Sequence, residues 1–306
     1  MKPKNPYSNT TEHWKTTFYF ITFVENIQIM NHEIKIAILD MNNNHPNQGM
    51  RNIKAISETF KANSGYQVSI EIFDVRHKYE MPKIEDFDIF ISSGGPGNPH
   101  KEGFVWEENY NRFLNAVWKH NKENESKKYM FLICHSFQLA CIYWDLAEVT
   151  QRKSYSFGVM PIHKTEAGEK DFLLKNLPEP FYAVDSRAYQ VIQPKTNHLE
   201  KHGMQILALE KERPYVDLER AVMAIRFSEE IFGTQFHPEA DPEGFLESLK
   251  VEKYKNSIIE DYGLDKYQET IDRIDDEDKV VLTRKEILPV FLEFAAQQIS
   301  KTVSLA

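Results

Sequence analysis

The chain has 306 residues, 41% of them hydrophobic, and a net charge of −9. That is enough for one large domain with appendages or for two small ones, and it leaves no basic surplus for nucleic acid or an anionic membrane. The two cysteines, Cys134 and Cys141, lie seven apart at the head and middle of one predicted helix. They are poorly placed to pair, so with no disulfide framework a reducing, cytoplasmic compartment is expected.

Residues 1–32 read as an N-terminal extension. TTFYFITFV, at 16–24, is too short to span a bilayer and lacks a small-x-small cleavage site after it. Met30 stands just before the first strand and is a plausible start. From residue 33 the pattern alternates. EIKIAILD is a buried strand and GMRNIKAISETFKAN an amphipathic helix with Ile53, Ile56 and Phe60 on one face. YQVSIEIFDV and FDIFISS are further strands, WEENYNRFLNAVWKH a helix, and KYMFLI, at 128–133, a fourth strand. Strands separated by helices imply a parallel sheet with helices on both faces, whose active site lies at the carboxyl ends of the strands.

Two such ends carry chemistry. SSGGPGNP, at 92–99, follows the third strand. Its adjacent glycines can bring backbone N–H groups close to a ligand and stabilise a developing oxyanion. The loop has neither the Lys-Ser/Thr of a P-loop nor a Rossmann spacing. Cys134 stands between the fourth strand and the helix HSFQLACIYWDLA, 135–147. A thiol at such a corner is lifted out of the backbone, and the helix N-terminus favours its thiolate. Cys141 reads as a small core residue.

Beyond residue 155, short apolar runs split by turn residues suggest an antiparallel extension. AVMAIRF-SEE-IFGTQFH reads as a hairpin that delivers His237 to the sheet end. In His237-Pro238-Glu239, residues i and i+2 of an extended segment point the same way, so Glu239 can orient the imidazole. Nucleophile, base and orienting group are thus in hand. A rival pairing uses His135, directly after the nucleophile. His163, His198 and His202 show no ligand spacing, and the CxxC and HxxxH patterns are missing, so no metal or cofactor is expected. Residues 246–306 read as a helical tail, with the last helix starting near Leu288 and Pro289 in its first turn. Thr283 and Glu286 have capping-box spacing.

Strand-SSGGPGNP, strand-CHSFQ-helix and GTQFHPE, in this order, resemble the triad type of class I glutamine amidotransferases, over roughly residues 33–240. The general look is similar to standalone proteins related to the amidotransferase domain of GMP synthase. The resemblance implies a flavodoxin-like α/β domain at 33–245, with Cys134 as nucleophile toward the glutamine side-chain amide. It implies His237 as base and then acid, Glu239 as its orienting group, and the N–H groups of Gly95 and His135 as oxyanion hole. Gly94 and Gln138 would help hold the substrate, and Arg187 or Ser186 would contact its α-carboxylate. The family elbow is usually Gly-x-Cys-x-Gly-His-Gln, and here Leu132, Ser136 and Phe137 depart from it. The implied activity is ammonia release from glutamine through a γ-glutamyl thioester. No ATP-pyrophosphatase loop is visible, so a separate ammonia-accepting synthetase is a possible partner. A γ-glutamyl peptidase or hydrolase with the same triad, or a catalytically poor regulatory protein on this scaffold, are the alternatives.

Overall fold

A computed structural model describes residues 33–45, 47–215, 217–250, 255–256, 259–260, 263–274 and 276–305. The apolar run at 16–24 and Met30 lie outside them. No described helix is long and apolar enough to cross a membrane.

Nine strands form one sheet: β1 (Glu33–Asp40), β2 (Gln67–Asp74), β3 (Ile89–Ser92), β4 (Tyr129–Ile133), β5 (Glu148–Lys164), β6 (Phe181–Ile192), β7 (Gln205–Glu210), β8 (Val222–Arg226) and β9 (Ile231–Thr234). Their order is β2-β1-β3-β4-β9-β8-β7-β5-β6. The first five in that order pair in parallel and the rest antiparallel. The mixed sheet and its flanking helices are the flavodoxin-like arrangement implied by the sequence.

Alternation along each strand splits the core in two. Ile34, Ile36 and Ile38 of β1 face one side, and Ala37 and Leu39 the other. On the first side lies α1 (Gln48–Asn63), through Ile53, Ile56 and Phe60. On the second lie α2 (Val105–Glu123) and α3 (His135–Tyr143), through Trp106, Tyr110, Phe113 and Phe137.

Short helices α4 (Glu166–Lys170) and α5 (Thr196–Lys201) join the antiparallel strands. After the sheet come α6 (Pro242–Lys250), α7 (Leu264–Ile274), α8 (Leu282–Glu286) and α9 (Leu288–Leu305). The last is no outlying tail. Leu288, Phe291, Leu292, Ala295, Ala296 and Ile299 sit at helical spacing in the first core, and Phe291 meets Phe131 of β4 at 5.2 Å. Each large side chain buried there contributes about 1.5–3 kcal/mol, so α9 belongs to the cover of the sheet.

Two local readings are corrected. The helix after Cys134 ends at Tyr143 rather than Ala147, because Asp145 adopts φ +54° and Leu146 N–H returns to the Cys141 carbonyl. Residues 148–164 form one long strand rather than a short run beginning near 155, and its register breaks between Gln151 and Ser156, across the polar RKSY. Thr283, at capping-box spacing from Glu286, donates its hydroxyl to the Tyr182 carbonyl at 2.6 Å. Pro289 does fall in the first turn of α9.

Candidate active site

Cys134 leaves β4 with φ +49° and ψ −99°. That backbone is sparsely populated for any residue with a Cβ and costs roughly 1–3 kcal/mol. Two bonds hold it: Cys134 N–H to the Thr234 carbonyl at 2.7 Å, and Gln138 N–H to the Cys134 carbonyl at 3.0 Å, the first bond of α3. The side chain is 6% exposed and opens into a cleft of about 410 Å³.

His237 reaches the same cleft from the segment after β9, as the β8–β9 hairpin requires. Its N–H bonds to the Val184 carbonyl at 2.9 Å, pinning the segment to β6. Nδ1 of His237 lies 2.8 Å from Oε1 of Glu239, which is 1% exposed. Burial opposes a charged His237, but Glu239 and Cys134 outweigh it, and the imidazole pKa is raised well above 6.5. The two walls are close: a Cβ added at Gly94 would lie 3.0 Å from Cε1 of His237 and 3.4 Å from Cβ of Cys134. Gly95 is pressed against β1, since a Cβ there would lie 2.2 Å from the Met41 carbonyl oxygen. Arg76 fixes this loop by donating to the carbonyls of Met41 and Pro96. Among the described residues, the N–H groups of Gly95 and His135 have no protein acceptor.

The His135 side chain faces away from this chemistry. It is 1% exposed, its Nε2 has no partner, and its ring lies near Trp106. Burial, with Arg76 nearby, pushes its pKa down to about 3. A neutral, sequestered imidazole disfavours the rival pairing with Cys134.

The departures from the family elbow have physical accommodations. Leu132 pairs in register with Gly233 of β9, and a Cβ at Gly233 would lie 3.3 Å from that of Leu132 and 2.8 Å from the Phe137 ring. Gly233 leaves room for Leu132 and for Phe137 against Phe227. Ser136 is fully buried and donates to the Ser93 carbonyl at 2.6 Å, with its Oγ 2.7 Å from that of Ser92. It ties the elbow to the glycine loop. Gln235, which the sequence reading missed, donates from Nε2 toward Sγ of Cys134 at 3.6 Å.

Of the residues expected to hold substrate, Ser186 lines the cleft, its Oγ 2.8 Å from the Tyr155 hydroxyl, and Gly94 backs it. Gln138 is 3% exposed and lies behind the cleft wall, donating to Oε1 of Gln235 at 3.0 Å. Arg187 does not reach the cleft. It is 2% exposed, and its guanidinium is spent on Asp185 at 2.9 and 3.0 Å and Glu210 at 3.3 Å. Neighbours on a strand face opposite ways, so Ser186 and Arg187 cannot both line it.

The model of the family glutamine amidotransferase class-I matches residues 47–252, more than half of the chain. Among solved structures, a glutamine amidotransferase from Thermotoga maritima is 13% identical with a TM-score of 0.62, covering 87% of this chain and 100% of that one. A glutamine amido transferase from Methylobacillus flagellatus is 12% identical with a TM-score of 0.52, covering 88% and 92%. The glutaminase domain of Trypanosoma brucei CTPS, with bound acivicin, is 16% identical with a TM-score of 0.51, covering 67% and 86%. No curated protein matches. At these identities the structures speak for the fold, and the matched family model shows that the chain belongs to the class I glutamine amidotransferases.

Proposed function

We propose that the protein is a thiol amidohydrolase that releases ammonia from the side-chain amide of glutamine. The reading is carried by one observation: Cys134, held at φ +49° on a strand end, shares a cleft with the hydrogen-bonded pair His237–Glu239. His237 takes the thiol proton of Cys134, Sγ attacks the side-chain carbonyl carbon, and the carbonyl π electrons move to oxygen. The N–H groups of Gly95 and His135 receive that oxyanion; a lost oxyanion-hole donor typically costs about 2.7–4 kcal/mol of barrier. Collapse breaks the C–N bond, and His237 gives its proton to the departing ammonia. The neutral imidazole then takes a proton from water, whose oxygen attacks the thioester. The C–S bond breaks, and glutamate leaves. Glu239 favours the imidazolium through both its charge and the bond to Nδ1. Gln235 donates toward the sulfur, and Gln138 holds Gln235 in turn, so Gln138 acts as a positioning residue.

The test is ammonia release from glutamine by the purified protein. Turnover that vanishes in Cys134→Ser and His237→Ala is the expected result. Turnover that survives Cys134→Ser contradicts it.

A further inference from the structure

The carboxylate that orients His237 is held from one side only. It is buried, with Oε1 of Glu239 bonded to the imidazole and Oε2 without a hydrogen-bond partner. Its position is therefore set by the main chain beneath it, and that chain is pinned at three points. His237 N–H bonds to the Val184 carbonyl at 2.9 Å, and Ala240 N–H returns to the His237 carbonyl at 3.3 Å. The third is a side chain: Nη1 of Arg284 donates to the carbonyl of Glu239 itself. Arg284 belongs to α8, beyond the stretch 47–252 that the family model matches. Its side chain lines a separate hollow between α1 and α9, with Ile56, Phe60 and Pro289, and stands outside the lining of the triad cleft.

Arg284 is itself firmly placed. A π-helical turn, Glu277–Val281, runs directly into α8, and such turns are rare and recur at functional sites. Thr283, the residue before Arg284, is buried and bonds to the Tyr182 carbonyl of β6, the strand that also holds His237 through Val184. Ile287 and Leu288, just after it, are fully buried in the first core. Asp241 and Glu239 offer the guanidinium negative charge, and Arg51 of α1, paired with Asp241, offers positive. A guanidinium stays charged in a protein, so its bond to the carbonyl is about twice as strong as a neutral one. Building on the hydrolase reading above, we infer that Arg284 is a positioning residue for the reaction: by holding the Glu239 carbonyl from outside the cleft, it fixes the carboxylate that orients His237. His237 serves both the formation and the hydrolysis of the thioester. A slack Glu239 therefore slows both steps and leaves substrate binding alone.

Steady-state kinetics on glutamine, at a temperature where each variant is folded, test this directly. Arg284→Met keeps an apolar stem and removes the donor. It should lower kcat by about 30-fold or more, the scale of a misplaced catalytic group, and move KM by less than about threefold. Methylguanidinium, added well below denaturing concentrations, should raise the kcat of Arg284→Met severalfold and leave the wild-type protein unmoved. A purely structural role gives no such rescue. A kcat within about threefold of wild type, a loss carried by KM, or a loss that methylguanidinium leaves untouched overturns the inference. Should Arg284→Met fail to fold, Arg284→Lys decides, since it sets a compact point charge in place of the planar fork. A kcat lowered by about threefold or more at unchanged KM then supports the inference, and a wild-type kcat overturns it. If the wild-type protein does not hydrolyse glutamine, the hydrolase reading fails and the inference with it. If it does and Arg284→Met matches it, the inference alone fails.

Discussion

Two ionic clusters lie on either side of β6, and they use their charges in opposite ways. On the cleft side, His237 and Glu239 meet at 2.8 Å, and the imidazole keeps 19% of its side-chain surface exposed, lining the same cleft as Cys134. On the other side, Arg187, Asp185 and Glu210 are buried together, with Arg152 and Arg213 also paired to Glu210. The second cluster satisfies itself and presents nothing to a ligand. The first has an outlet, since Glu239 orients a group that can still exchange a proton. A buried charge therefore points to chemistry only when its partner remains free to act.

Substitutions in the two clusters should separate accordingly. The largest effect belongs to the cleft: Cys134→Ala and His237→Ala are each expected to lower kcat by about 10⁴-fold or more, with the thermal midpoint nearly unchanged in Cys134→Ala. His135→Ala should cost at least about 100-fold less than His237→Ala. The reverse order would restore the rival pairing. Across β6 the effect moves from rate to stability. Arg187→Ala strands the buried Asp185 without its cation, while Glu210 keeps Arg152 and Arg213, and should cost roughly 3–5 kcal/mol, read as a lowered denaturation midpoint. A rise in KM for glutamine with the midpoint unchanged would put Arg187 back in the site.

Glu239→Gln sharpens the same contrast through pH. The folded pKa of His237 is raised, so the imidazolium persists above pH 6.5 and is lost as pH climbs through that raised value. Removing the carboxylate charge should move the alkaline limb of kcat/KM down by about one to three pH units. An unmoved limb would mean that Glu239 only shapes the site. Gly233→Ala is the smaller test. The added methyl meets the Phe137 and Phe227 rings and Leu132, so a loss of about 1–3 kcal/mol is expected, with slower turnover if the elbow shifts.

Much of this was legible from local pattern. The parallel strands, the corner at Cys134, the hairpin behind His237 and the start of α9 at Leu288 each follow from apolar runs and their punctuation. Four features were not. The room that Gly233 leaves for Leu132 exists only through the β4–β9 register. Gln235 was passed over as one polar residue in an apolar run, although alternation from Gly233 through Gln235 to His237 could have placed it on the nucleophile side. Arg187 was misread because its neighbour Ser186 does face the cleft, and strand alternation was not applied to the pair. The long β5 was hidden by four polar residues at its break in register.

The chain's two thiols supply the sharpest single measurement. Cys141 is fully buried, and burial alone pushes its pKa far up. Cys134 opens to the cleft. Treating the protein at neutral pH with the glutamine mimic diazo-oxo-norleucine, followed by intact mass and peptide mapping, asks which thiol reacts. One adduct per chain, on Cys134 and lost in His237→Ala, is the predicted result. An unmodified Cys134, or an adduct elsewhere, would contradict the assignment of this sulfur as the attacking atom.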